Sequence, residues 1–299
     1  MANTWGGTDD SLILQAGFES FKEKLAPISA FSTDMSPSPS FEGASVVTRV
    51  ITKMTAAAFG ASGYETGDTT TTAKTVTLNK HIVMNFHMTD VEKGKSSAAS
   101  STMELQAVEA ANAVARYVMG AATNGILAAV TNANFGAAGF TGAATNFDSD
   151  DVADIADAMD DDSVPESGRA LILSNAYYTA LRKDSSIKAR YASGADTLQT
   201  GDVPNLSGFS VWRSNNIPAN GENLVGLAAA PSAIAFASRT VEPQGNIEFY
   251  GVASDPETGL SLGFRRHYDD KLGIMWGSFE SLYGWTVCQA TGIQRIVSA

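Results

Sequence analysis

Residues 74–88, KTVTLNKHIVMNFHM, decide how the rest of the chain is read. Hydrophobic side chains take the even positions, Val76, Leu78, Ile82, Met84, Phe86 and Met88, with Lys80 as the exception. Thr75, Thr77, Asn79, His81, Asn85 and His87 lie opposite. A period of two puts neighbouring side chains on opposite faces of an extended backbone, so the stretch predicts a strand with one apolar face. Upstream, Val46, Val50 and Met54 share a face, with Thr48 and Thr52 between them, and predict a second strand over 46–54. The connection at 60–73, GASGYETGDTTTTA, offers Tyr64 as its one large side chain. The whole reads as a long two-stranded hairpin with a polar, Gly-rich tip. A lone hairpin is marginal in water, and burying a side chain of Val or Phe size is worth about 1.5–3 kcal/mol. The apolar face is therefore expected to lean on another subunit.

Downstream of the hairpin, Leu105, Val108, Ala115, Met119, Ala122, Ile126 and Ala129 recur at helical spacing and predict a helix over 102–131. At about 1.5 Å per residue it would be roughly 40 Å long, with Gly120 and Gly125 as weak points. Its stripe is mostly alanine, which lets a sheet or helix approach closely. A Gly-rich link at 132–146 leads to Asp148 or Ser149, either able to cap a helix carrying Val152, Ile155 and Met159. Arg169–Leu173 predicts a buried strand, Asn175–Lys183 a helix and Phe209–Arg213 a strand. Asn223–Ala237 holds a further strand and a turn at Pro231, and the tail from Asn246 to Val297 is strand-rich. Upstream of the hairpin, Leu14, Phe18, Phe21 and Leu25 mark a short amphipathic helix ending before Pro27, and STDMSPSPS at 32–40 has no apolar face. The chain is expected to open with an arm rather than a core, and the fold class is α+β.

Composition narrows the function. The formal net charge is −12, and the densest basic run is Arg265-Arg266-His267. A protein that grips nucleic acid draws its non-specific affinity from lysines and arginines on phosphates, so a DNA-binding role is set aside. Cys288 is the only cysteine; a disulfide within the chain and a Cys-rich zinc site are excluded, and a small core residue is expected. Met1–Asp10 lacks the positive start of a signal peptide. The uncharged stretch between Arg116 and Asp148 is built of Ala, Gly, Thr and Asn, without the roughly 20 apolar residues of a membrane span.

Catalytic motifs do not survive inspection. Gly94-Lys95-Ser96 ends like a phosphate-binding loop, but the loop's first glycine is replaced by Thr89. Gly259-Leu260-Ser261-Leu262-Gly263 matches G-x-S-x-G, yet Ser261 lies inside an alternating strand pattern and His267 follows too closely for a nucleophile elbow. His81 and His87, six residues apart on one strand, stand roughly 20 Å from each other, too far for one metal. Asp148, Asp150, Asp151, Asp154, Asp157, Asp160, Asp161 and Asp162 cluster, but Val152 and Ala153 occupy the fifth and sixth places of any calcium loop. A solvated helix face is the simpler reading, loose cation binding the other. No catalytic, cofactor-binding or metal-ligating set is read from the sequence.

The order of parts, with ILSNAYYTALRKD at 172–184, LSGFSVWRSNNIP at 206–218, LVGLAAAPSAIAFA at 224–237 and GIMWGSFESLYGWTVCQATGIQRIV at 273–297, resembles the major capsid proteins of tailed bacteriophages, the Hong Kong 97-like fold. The resemblance implies an N-terminal arm (1–41), an extended loop (42–90), a peripheral domain (91–145 with 241–282, its spine helix at 97–131) and an axial domain (146–240 with 283–299). It implies a non-enzymatic shell subunit whose partners are copies of itself in pentamers and hexamers, a scaffolding protein, a portal and a decoration protein. The shell would enclose double-stranded DNA without sequence-specific binding, in the virion, after assembly in the host cytoplasm, with no membrane. The chain shows no long N-terminal coiled coil, so the scaffold is either a separate protein or a segment removed before this numbering begins. Some relatives join subunits through a lysine and an asparagine; Lys53, Lys74 and Lys80 lie in the matching region, but no acceptor or assisting glutamate is matched. An encapsulin-type nanocompartment shell shares the fold. A β-rich surface adhesin would fit the Gly/Thr/Asn composition, but not the long helix.

Overall fold

The structure, a computed structural model, describes residues 6–34, 45–51, 71–95, 99–121, 123–187, 203, 205–243, 245, 247–255 and 258–299. The first helix, α1 (Gly6–Leu25), is longer than its apolar spacing marks. Phe21, Leu25, Ile28 and Phe31 are buried behind it, and a short strand, β1 (Ser32–Asp34), pairs in parallel with Ile234–Phe236. The opening segment, expected to stand apart as an arm, is thus packed into the core as far as Asp34. Its Pro/Ser-rich continuation at 35–40 lies outside the described residues, as do Lys53, Met54 and the hairpin tip at 60–70.

The hairpin is present as β2 (Ser45–Ile51) and β3 (Thr71–Thr77), antiparallel with Val46 opposite Val76. The run read as one strand from Lys74 to Met88 is two. The chain breaks at Leu78–Asn79 and resumes as β4 (Lys80–Thr89), which pairs not with the hairpin but with residues 274–283. The alternation stays in phase across the break, so periodicity cannot register it. Lys80, the one exception, marks the spot, with its ammonium 4.6 Å from the centre of the Trp285 ring. Phe86 and Met88 are consequently buried within their own chain rather than against a partner, while Met84 stays 42% exposed.

After α2 (Asp90–Lys95), the long helix α3 runs over Ala99–Gly120 and stops there. A Cβ at Gly120 would fall on the Asn216 carbonyl oxygen, so the close approach that ends the helix requires glycine. A 3-10 turn at Ile126–Ala129 follows, with Ile126, Leu127 and Ala129 buried. The apolar stripe thus outlives the helix, because burial and not helicity maintains it. Then come α4 (Asn132–Phe135), β5 (Ala138–Thr141) and α5 (Ser149–Asp161). Asp148 caps α5 by accepting from the backbone N–H groups of Asp150 and Asp151, and the Asp151 carboxylate accepts from the Asp148 N–H. The remaining elements are β6 (Ala170–Leu173), α6 (Asn175–Lys183), β7 (Ser210–Arg213), β8 (Leu224–Ala229) and β9 (Ile234–Arg239). They end with β10 (Phe249–Ser254), β11 (Ser261–Asp269), β12 (Ile274–Val287) and β13 (Ile293–Val297).

These strands form a six-stranded sheet in the order β1-β9-β12-β11-β10, with β4 on the other side of β12, and a five-stranded sheet in the order β5-β13-β8-β6-β7. Helices α1 and α3 cover the inner face of the larger sheet, where the rings of Phe264 and Phe279 lie 4.9 Å apart and Phe86 stacks on both. Tyr283, fully buried, donates to the Asn124 carbonyl, and burial holds its phenol far above the usual value. The smaller sheet faces two ways. Ile172, Leu227 and Ile293 join the core just described, whereas Leu171, Leu173, Ala228 and Ile296 point to α5 and α6.

Candidate assembly surfaces

The residues singled out in the sequence do not converge on one site. Ser261 lies in β11, opposite Ser254 of β10. Its hydroxyl is 2.8 Å from that of Ser238, and Ser281 donates to its carbonyl at 3.0 Å. A strand with backbone partners there cannot make the strand–turn–helix of a nucleophile elbow, and His267 is six residues, about 20 Å, further along. Gly94 and Lys95 close the helix α2 rather than lying in a loop that leads into a helix, and Ser96 is outside the described residues. Among the described residues no His, Cys, Asp and Glu side chains gather in a set able to hold a metal ion, and no helix is long and apolar enough to cross a membrane. The aspartates of α5 divide their work. Asp148 and Asp151 cap the helix, where burial pushes the Asp151 carboxyl up, and Asp160 pairs with Arg169 at 2.6 Å. Asp150, Asp154, Asp157 and Asp161 remain as an exposed row.

The three histidines share a surface. Cross-strand pairing sets His87, Trp276 and His267 in one row on the outer face of the larger sheet, and the His87 ring lies 4.7 Å from that of Trp276. On the same face His81 Nε2 is 3.1 Å from Glu280 Oε2. Glu280 is fully buried, is held by the Arg265 guanidinium as well, and keeps Oε1 without a hydrogen-bond partner. Sequence reading did not find this cluster. The signal was the Arg265-Arg266 pair within a strand: adjacent residues must face opposite ways, so Arg265 goes outward to Glu280 while Arg266 goes inward to Asp10 at 2.6 Å.

Two further surfaces are left uncovered by the described residues. The first is the β2–β3 ribbon. Val46, Val76 and Leu78 at its root are buried on Ala235 and Ala237 of β9, beside Cys288, whose thiol burial pushes up. A Cβ at Gly284 would strike the Thr77 carbonyl oxygen, so glycine lets the ribbon cross β12 closely. Beyond that root the ribbon projects, with Val47 55% exposed. The second is a cleft of about 960 Å³ on the inner face, between α1, α3 and the sheet. Leu12, Ile13, Met88, Met103, Phe264 and Met275 give it an apolar floor, and Glu19, Asp90, Lys93 and Glu104 form its polar edge.

Comparison with known proteins agrees with this architecture. A family model described as phage capsid protein matches residues 71–296. No curated protein matches the chain in sequence. Among solved structures, the fold is similar to that of Mycobacterium phage Che8, with 18% identity over 85% of each chain and a TM-score of 0.56. It is similar to the mature capsid of bacteriophage PhiM1, with 8% identity over 91% of this chain and 86% of the other and a TM-score of 0.60. It is also similar to the capsid of an empty GTA particle, with 17% identity over 92% and 90% and a TM-score of 0.59.

Proposed function

The chain belongs to the phage capsid protein family, and from that premise we propose that its copies assemble as pentamers and hexamers into an icosahedral shell enclosing a double-stranded DNA genome, with no catalytic step of its own. The observation that carries this reading is the β2–β3 ribbon. Among its described residues Val46, Val76 and Leu78 anchor it to its own chain, and Val47 beyond them stays exposed, a surface suited to meet another subunit. The net charge of −12 suits a wall that contains DNA without gripping it.

On this reading the peripheral domain (91–145 and 241–282) holds α3, β10, β11 and most of β12, and the axial domain (146–240 and 283–299) holds α5, α6, β6, β7, β8 and β13, while α1, β1, β4 and β9 join the larger sheet, and β5 the smaller, from outside those ranges. The extended loop (42–90) is the ribbon followed by β4, which adds to the peripheral sheet. A scaffolding protein and a portal complete the assembly, and a decoration protein is a further partner. Assembly takes place in the host cytoplasm. The test is co-expression with scaffold followed by negative-stain electron microscopy and sedimentation. Closed shells of uniform size are expected; a stable monomer at high concentration with scaffold supplied would overturn the reading.

A further inference from the structure

We propose that β10 pairs edge to edge with β10 of a second copy, antiparallel about a two-fold axis, so that the larger sheet continues from one subunit into the next. The contact rests on the self-assembly reading and adds a register to it. An edge strand presents unpaired backbone N–H and C=O groups, and proteins protect such edges with charge, brevity, proline or bulges. The other edges here follow that rule. β1 and β5 are three and four residues long, β7 ends in Arg213, and β4 carries Lys80, His81 and His87. The ribbon strands carry Arg49 and Lys74. β10 departs from it. Its sequence, FYGVAS, has no charge and no proline, and it pairs with β11 over all six residues without a register shift. It ends the strand order of the larger sheet, with no described strand on its other side.

The two faces of β10 fix what an added strand would meet. Gly251 and Ala253 face the core: a Cβ at Gly251 would lie 2.8 Å from Leu14 of α1, and Ala253 packs on the same core. Val252 lies on the outer face, opposite Gly263, and is 47% exposed. Residues directly opposite in an antiparallel pair share a face, and a one-residue slip would swap the faces. A two-fold axis at Val252 therefore sets this residue against its own counterpart, and Tyr250 against Ser254. The exposed valine is then covered by an identical β-branched side chain. A second copy is the fitting occupant because an isologous contact needs only one self-complementary patch. Six paired residues bury far less than the roughly 1,200–2,000 Å² of a stable interface. The contact thus belongs to the shell, where many weak contacts act together, and not to a free dimer.

The experiment uses full-length chain assembled with scaffold, in a Cys288→Ser background with native circular dichroism. Cross-strand partners have Cβ atoms about 4.5–5.5 Å apart, close enough for a disulfide after a small adjustment. Val252→Cys alone should therefore give a disulfide-linked dimer on a non-reducing gel after mild oxidation of shells. Tyr250→Cys and Ser254→Cys should give none singly, and together should give dimers without a ladder, because a two-fold contact closes on itself. In parallel, Val252→Lys sets like charges opposite each other and should lower shell yield at least tenfold while circular dichroism stays native; Val252→Thr should assemble normally. Intact shells without a dimer from Val252→Cys would overturn the proposal. So would a ladder from the double variant, or normal shells from Val252→Lys. These outcomes leave self-assembly standing, whereas absence of shells from the unsubstituted chain removes that reading and the contact with it.

Discussion

Glu280 is a carboxylate with no solvent exposure, and its two partners are unequal. Arg265, 28% exposed, keeps part of its guanidinium in water, and His81 reaches in from the edge strand β4. Removing one member of a buried ion pair costs about 3–5 kcal/mol when the remaining charge is left uncompensated. Arg265→Met strands the buried carboxylate and should lower stability by about that amount in denaturant titration. Glu280→Gln leaves an arginine that water can still reach, and should cost clearly less; the reverse ranking would refute the assignment. Ser261 gives a chemical test at the same scale. Its hydroxyl is engaged with Ser238 inside a sheet, so a serine-directed fluorophosphonate probe should leave the folded chain unlabelled, and modification at Ser261 would contradict the strand context.

At the scale of the element, the ribbon and the rest of the fold separate. Removing Gly60–Ala73 takes away the tip and the first residues of β3 but spares Val46, Val76 and Leu78, which hold the root. The shortened chain should keep native-like thermal unfolding by circular dichroism yet fail to form shells; normal shells, or an unfolded monomer, would each contradict this. Elements whose signal is local were legible in the sequence. Asn175–Lys183 is the helix expected there, Asp148 caps α5, and the tail read as strand-rich carries β10 to β13. Features set by distant partners were not legible. The end of α3 at Gly120 depends on Asn216, and the break at Leu78–Asn79 preserves the period of two. The burial of α1 depends on a contact with α3 and β10 that no local pattern announces. The cleft has the same character, because its walls come from four separated stretches of chain.

For the molecule as a whole, the smaller sheet is the shared wall of two cores. Ile172 faces one and its neighbours Leu171 and Leu173 face the other, so neither core can melt without exposing the back of the strands that serve the other. The subunit, before assembly, should therefore unfold in a single calorimetric peak despite its 299 residues; two well-separated peaks would show the halves to be independent. The kink between β3 and β4 carries a different consequence. A ribbon of seven-residue strands extends about 23 Å from its root, so a turn of about 10° at that root displaces its far end by roughly 4 Å. In the proposed shell, a change of direction at Leu78–Asn79, between the packed root and β4, would therefore re-aim the ribbon's far end toward neighbours set at different angles.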